Sequence, residues 1–217
     1  MIEDEAQARD YAASLGDAGA LDRLDRLVAL LVAENERQNL VATRTLPQIW
    51  LRHIADSAQL LEHVPRETLD RGGSGPWLDL GTGAGFPGLV IAALRPEWEV
   101  RLVESRRRRV EWLESARIAL GLERCSVIGS RLELAGSFAS GVISARAFAP
   151  LPLLLDLSAR FSTPDTLWLL PKGRSAAQEL ASLPESMRRP FHVERSQTDP
   201  EAGIIVGRLA QEARPKA

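Results

Sequence analysis

Residues Trp77 to Gly88 read W-L-D-L-G-T-G-A-G-F-P-G, a short apolar run closed by an acid and followed by glycines at 81, 83, 85 and 88. Such a segment has one comfortable solution: a strand, a tight turn and the start of a helix. Glycine adopts positive φ without a Cβ clash and lets the backbone approach a ligand, while the first helical turn offers N–H groups with no partner inside the helix. The pattern predicts an α/β fold with a nucleotide-like cofactor at this turn.

Two overlapping fingerprints can be read: G-x-G-x-G over Gly81, Gly83 and Gly85, and the dinucleotide pattern G-x-G-x-x-G over Gly83, Gly85 and Gly88. Asp79 separates them. A carboxylate just before the turn repels a pyrophosphate but attracts the ammonium group of S-adenosylmethionine. Pro87 has no N–H for a pyrophosphate, yet suits a first helical turn. The next strand ends at Glu104, roughly 20 residues on, where an acid can accept hydrogen bonds from ribose hydroxyls of either cofactor. These residues favour S-adenosylmethionine, with a nicotinamide-dependent oxidoreductase as the alternative from another class.

Length and composition describe one ordinary globular domain of 217 residues with, at most, a small appendage. No apolar stretch approaches the length of a membrane span, and the acidic start at Glu3, Asp4 and Glu5 is unlike a secretory or transit signal, so a cytoplasmic, membrane-free protein is expected. Cys125 is the single cysteine and reads as a small buried hydrophobe; the three histidines show no zinc spacing, and no metal is expected. The formal charge of −2 argues against strong, purely electrostatic binding of naked nucleic acid.

Leu21, Leu24, Leu27, Val28 and Leu31 recur at helical spacing and predict a helix from Leu21 to Glu36; a second runs from Pro47 to Val64. Arg52, His53 and Asp56 share one face of the second, readable as a solvated face or a functional one. Gly72 to Pro76 form a break. Strands at 77–80, 99–104, 125–128, 141–145 and 166–170 then alternate with helices at 87–94, 106–120 and 150–161, which calls for a mainly parallel sheet covered on both faces. Phe191 to Glu194 and Gly203 to Leu209 add a final strand pair. The expected organisation is an N-terminal helical extension over 1–72 packed on the core, a catalytic domain over 73–210 and a polar tail from Gln211 to Ala217.

Open parallel sheets bind ligands beyond the carboxyl ends of their strands. Here those positions hold Gly81 to Gly85, Glu104 and Ser105, Ser130 to Glu133, Arg146, and Pro171 to Arg174. Arg131, Arg146, Lys172 and Arg174 converge there and suit a phosphate-rich substrate. Arg106 to Arg109 open a helix, where the macrodipole disfavours cations; a solvated face and an RNA contact are both open readings. No D/N-P-P-Y/F segment follows the fourth strand and no prolyl-cysteine is present, which counts against methylation of exocyclic amines and of pyrimidine C5. A nucleophile needing neither deprotonation nor a covalent adduct remains.

With these residues placed, the chain resembles the bacterial small-subunit (16S) ribosomal RNA guanine-N7 methyltransferases, the glucose-inhibited division protein B family. The matching segments are Asn39 with Leu40, R-H-I-A-D-S at Arg52 to Ser57, the glycine turn from Leu78 to Gly88, V-E-S at Val103 to Ser105, Arg109 with Val110, S-R-L-E at Ser130 to Glu133, A-R-A-F-A at Ala145 to Ala149, and P-K-G-R at Pro171 to Arg174. Together they cover about residues 20 to 206. The turn is shared by many methyltransferases; R-H-x-x-D-S with A-R-A-F-A is far more specific.

The resemblance implies a Rossmann-like S-adenosylmethionine-dependent methyltransferase sheet with an N-terminal helical extension. It also implies direct methyl transfer to guanine N7 of 16S rRNA or the small ribosomal subunit, by a monomer as the default. Asp79, Gly81, Gly83, Gly85, Phe86 and Glu104 would hold the cofactor, with Leu132 and Glu133 flanking the adenine. Arg146 would close the methionine end or face the substrate, and it stands with Lys172 as a catalytic candidate. Arg52, His53, Arg131 and Arg174 would face RNA. Some relatives carry an arginine in the last hairpin, where this chain reads P-E-A-G-I-I-V; Arg195 is the candidate replacement. A noncatalytic RNA-binding assembly factor is the remaining alternative.

Overall fold

The structure is a computed structural model that describes residues 1–65 and 75–209. Strands β1 (Trp77–Leu80), β2 (Val100–Val103), β3 (Cys125–Ile128), β4 (Val142–Ala145), β5 (Leu167–Gly173), β6 (Phe191–Arg195) and β7 (Gly203–Gly207) form one seven-stranded sheet in the order β3-β2-β1-β4-β5-β7-β6. The first five pair in parallel, and β7 runs antiparallel between β5 and β6. The chain leaves β1 outward to β2 and β3, then returns to β4 on the other side, so the strand order reverses between β1 and β4. That reversal opens the crevice where ligands bind in such sheets. Leu80 pairs with both Val103 and Ala145, and Val103 with Ile128, so Gly81, Glu104, Gly129 and Arg146 leave the sheet at one level.

Successive strand residues point to opposite faces, and the two faces carry different partners. Trp77, Val100, Leu102 and Leu169 pack with Leu24, Leu27 and Leu31 of α2 (Ala20–Asn35), Ile54, and Leu89 and Ile91 of α3 (Gly88–Leu94). Leu78, Leu80, Ile143 and Trp168 pack on the other face with Leu154 and Leu155 of α5 (Leu151–Ser158). The N-terminal helices thus cover one side of the sheet. The remaining long helix, α4 (Arg107–Ala119), follows β2 and buries Trp112, Leu113 and Ala116.

Helix α1 (Glu5–Ser14) was not expected, because it buries only Ala8 and Ala12 and so leaves no apolar stripe to read. Asp4 caps it, accepting from the Gln7 N–H at 2.8 Å. Two short helices, α6 (Ala176–Ala181) and α7 (Glu185–Arg188), were also unexpected.

The helix expected from Pro47 to Val64 is corrected to a composite: a 3₁₀ segment Thr43–Gln48, a π-helical turn Trp50–Ala55, one α turn Asp56–Ala58 and a 3₁₀ segment Gln59–His63. The two oxygens of Glu5 in α1 accept from the Trp50 and Leu51 N–H groups at 3.0 and 2.8 Å, which caps the π turn from another helix. Its polar face is not solvated as a unit, since His53, Ser57 and Gln59 are buried. The break at Gly72 to Ser74, the boundary placed there and the tail from Gln211 to Ala217 lie outside the described residues.

Leu27 is fully buried between α2 and the sheet face. Leu27→Ala is expected to lower unfolding stability by about 2–5 kcal/mol in urea denaturation, with one transition seen by both tryptophan fluorescence and circular dichroism. Separate transitions would show that α2 and the sheet unfold independently.

Candidate functional site

The glycine turn is held from inside. Trp77 Nε1 donates to Ser144 Oγ at 2.8 Å, Ser144 Oγ donates to Asp79 Oδ1 at 2.8 Å, and the Gly88 N–H donates to Asp79 Oδ2 at 2.9 Å. Asp79 has no exposed surface. Burial pushes its carboxyl up to about 6, against the opposing pull of these hydrogen bonds. Asp79, expected to meet the cofactor ammonium, turns its oxygens to the turn's own backbone and Ser144. Gly81 and Gly83 both sit at φ +60°, and a Cβ on Gly81 would lie 2.2 Å from the Phe148 ring. Only glycine fits at position 81.

Beyond the turn lies a cavity of about 520 Å³ lined by Gly81, Val103, Glu104, Ser105, Arg106, Arg109, Ser130, Arg131, Leu132, Glu133, Ala147 and Phe148. Of the expected cofactor residues, Gly81, Glu104, Leu132 and Glu133 are on this wall, whereas Asp79, Gly83, Gly85, Phe86 and Arg146 are not. Glu104 Oε2 accepts from the Gly83 N–H at 3.1 Å, and Oε1 accepts from the Ser105 and Arg106 N–H groups at 2.8 Å each. A carboxylate has about four acceptor positions, so Glu104 is locked in orientation with one left for a ligand. The volume is that of a small-molecule site. Its chemistry, the acid acceptors Glu104 and Glu133 beside a buried leucine and an open glycine, fits the ribose, adenine and chain of S-adenosylmethionine.

Arg146, at the end of β4, joins the composite helical run to the sheet. Its guanidinium donates to His53 Nδ1 at 3.2 Å, to Asp56 Oδ2 at 3.3 Å and to the Arg52 carbonyl at 3.4 Å, and its Cζ lies 5.2 Å from the Phe86 ring centroid. The His53 ring stacks on Phe86 with centroids 5.1 Å apart and planes 15° from parallel. Burial, then the charges of Arg146 and Arg52, push the His53 pKa down to about 3. A neutral ring fixes the tautomer: Nδ1 accepts from Arg146, and Nε2–H donates to Thr45 Oγ1 at 2.8 Å, whose own proton goes to the Ala42 carbonyl. His53, expected to face RNA, is thus a buried part of this clasp that lines a cavity of about 250 Å³. Phe86 likewise stacks in the clasp rather than lining the cofactor cavity.

Two further cavities flank the clasp. One of about 250 Å³ is lined by Thr45, Arg52, His53, Asp56, Arg146 and residues 196–204 of the last hairpin. The other, about 750 Å³, runs from Arg146 through Pro150 to Pro171, Lys172 and Glu179, and it shares Ala147 and Phe148 with the 520 Å³ cavity. Lys172 has a side chain 5 % exposed, donates to the Ala149 carbonyl at 3.0 Å and pairs with Glu179 at 2.9 Å. Arg52 pairs with Asp199 at 3.3 Å and Arg174 pairs with Glu201, both acids lying in the final hairpin loop. Arg131 is exposed on the 520 Å³ cavity, and Arg195 ends β6 outside the lining of all three cavities. Cys125 is buried, and burial pushes its thiol up to about 12.

Ala147 and Phe148, which border two cavities, were quoted in a matching segment but were not singled out as site residues. Ala147 adopts φ +54°. That conformation is uncommon outside glycine, and an alanine gives no hint of it. Arg106 and Arg109 were read as a surface run, yet both reach the cavity.

A family model described as rRNA small subunit methyltransferase G matches residues 20–198. A protein named "Ribosomal RNA small subunit methyltransferase G" from Erythrobacter litoralis is 60% identical over 96% of this chain and 98% of its own length; the namesake from Novosphingobium aromaticivorans is 62% identical over 99% and 92%. Among solved structures, an MtNAS variant in complex with S-adenosylmethionine superposes with a TM-score of 0.55 at 15% identity, covering 94% of this chain and 77% of that one. At that identity it speaks to the fold. The nicotinamide-dependent alternative finds no support among these relatives, which are named as rRNA methyltransferases.

The neutral His53 yields a pH test. Its folded pKa, about 3, lies below the value near 6.5 of the unfolded chain, so its contribution to stability is present above 6.5 and is lost as pH falls toward 3. At pH 5 that loss is on the order of 2 kcal/mol. His53→Gln lacks this titration, and the stability gap between parent and variant is expected to narrow by that amount between pH 7 and pH 5 in urea denaturation. A gap independent of pH would mean that the ring titrates in the fold as it does in the unfolded chain, and a gap that widens would mean that the fold favours the charged ring.

Proposed function

The chain belongs to the rRNA small subunit methyltransferase G family, and from that membership we propose that it methylates N7 of a single guanine in 16S rRNA, using S-adenosylmethionine bound in the 520 Å³ cavity. S-adenosylmethionine supplies an electrophilic methyl group on a sulfonium. The observation that carries the reading is the wall at Ala147 and Phe148, which borders both that cavity and the 750 Å³ cavity. Donor and acceptor on its two sides are a side chain apart. Glu104 and Gly81 hold the ribose side of the cofactor, and Leu132 and Glu133 the adenine.

Guanine N7 carries a free lone pair and loses no proton, so no general base is needed. The acceptor side agrees, since both His53 ring nitrogens are engaged. Transfer moves positive charge onto the base, and a wall of free cations would oppose it. Here Arg146 faces Asp56, Arg52 faces Asp199 and Lys172 faces Glu179. Each cation is matched by a carboxylate. In this reading Arg146 borders the acceptor as a positioning residue held by the clasp. Lys172, through the Ala149 carbonyl, sets the course of the loop between the two cavities. Catalysis then rests on orienting the two reactants.

Labelled methyl transfer to small subunits purified from a strain lacking this protein, followed by mapping of the modified nucleotide, tests the proposal. One guanine labelled at N7 is expected; label on ribose or on an exocyclic amine would refute it. Glu104→Gln is expected to weaken S-adenosylhomocysteine binding about ten- to hundredfold in calorimetry, as for a lost hydrogen bond to a charged group. An unchanged affinity would remove Glu104 from the ribose site.

A further inference from the structure

The charges on the two sides of the Ala147–Phe148 wall are arranged differently. On the acceptor side each cation has a carboxylate. On the donor side, Arg106 and Arg131 line the cavity with exposed guanidinium groups and have no side-chain partner among the described residues, and Arg109 reaches only the Asn39 carbonyl at 3.5 Å. Their neighbours in the run turn elsewhere: Arg107 pairs with Glu111 and Arg108 donates to the Arg37 carbonyl. Glu104 and Glu133 line the same cavity, but among the described residues neither forms an ion pair with these arginines, and Glu104 is turned toward three backbone N–H groups.

Two energetic penalties meet at this spot. Arg106 caps α4, a helix of 13 residues, and Arg107 to Arg109 fill its first turn, where the helix end is itself positive. S-adenosylmethionine is also a net cation, and unpaired arginines beside it oppose its binding. One anion seated among Arg106, Arg109 and Arg131 relieves both. Because Ser105, Arg106 and Arg131 are exposed while Glu104 and Leu132 are buried behind them, that anion sits at the mouth of the cavity.

Building on the rRNA methyltransferase reading, we propose that Arg106, Arg109 and Arg131 form a phosphodiester-binding site for the substrate rRNA across the mouth of the cofactor cavity, so that bound RNA closes the cavity over its contents. The order of events follows. Cofactor enters before RNA, and the demethylated product leaves only after RNA has left. The overall charge of −2 makes such a local site necessary, since the protein as a whole does not attract a polyanion.

The test compares the parent with Arg106→Ala/Arg131→Ala and with Arg106→Lys/Arg131→Lys, both at exposed positions. Cofactor affinity without RNA is expected to be kept or raised in the alanine variant. Its KM for small subunits rises at least tenfold with a flatter salt dependence, kcat is kept, and the lysine variant recovers most of the loss. Saturating subunits slow the exchange of labelled S-adenosylhomocysteine from the parent but not from the alanine variant. Weakened cofactor binding with an unchanged KM would assign the arginines to the cofactor and overturn the proposal. Slow exchange produced by inorganic phosphate alone would make this a free-anion site and overturn the RNA assignment. Failure of the parent to methylate subunits at all would remove the underlying reading and the proposal together, a result distinct from an active parent with indifferent variants.

Discussion

One carboxylate with no solvent exposure organises the loop on which the 520 Å³ cavity depends. Asp79 receives Ser144 from β4 and the Gly88 N–H from the start of α3, and Ser144 in turn receives the Trp77 indole from β1. Strand, neighbouring strand and helix start are thereby tied through one side chain. Hydrogen bonds to a charged group are worth about 1.5–3 kcal/mol each, and losing the carboxylate would leave buried donors orphaned. Glu104 performs the same service from the next strand by taking the Gly83 N–H. The turn's own side chains and backbone N–H groups therefore hold its shape.

The acceptor side depends on a second device, the clasp around Arg146. A guanidinium held by a ring nitrogen, a carboxylate, a carbonyl and an aromatic face has little freedom left. Its partners come from the π turn and the α turn that follows it, where His53 and Asp56 fall on the side facing the sheet. Asp56 is itself fixed by Thr198 Oγ1 at 2.8 Å and Gln59 Nε2 at 3.0 Å. Residues from the N-terminal run, the end of β4 and the last hairpin are therefore one mechanical unit. An insertion or register change in any of them would be felt at the acceptor cavity.

The fold was largely legible because its strands are short apolar runs between turn residues, and because the glycine turn identifies β1. What escaped has physical reasons. Helix α1 packs through two alanines, which leave no periodic signal. The helical run after Pro47 keeps an apolar side whether its bonds are α, π or 3₁₀, so spacing could not show which polar residues turn inward; His53 and Gln59 did. Of the residues expected at the cofactor, Glu104, Gly81, Leu132 and Glu133 line the 520 Å³ cavity, whereas Asp79, Gly83, Gly85, Phe86 and Arg146 do not. Proximity to a strand end is visible in a sequence; the direction of a side chain is not. An acid there can point to a ligand or to the loop's own N–H groups, and Asp79 does the second.

The segments most specific to the family turn out to be the two halves of one contact. R-H-I-A-D-S supplies His53 and Asp56, A-R-A-F-A supplies Arg146, and these side chains meet each other rather than the cofactor cavity. The 520 Å³ cavity draws on the glycine turn and the acid after β2, on Leu132 and Glu133, and on Ala147 and Phe148 of the same A-R-A-F-A segment. That segment therefore serves both the cavity and the fastening of a helical run to the end of β4. Since that fastening borders the 250 and 750 Å³ cavities, the segments that most mark the resemblance are the ones that shape those cavities, and under the proposed function the clasp, more than the chemistry of methyl transfer, sets which acceptor fits.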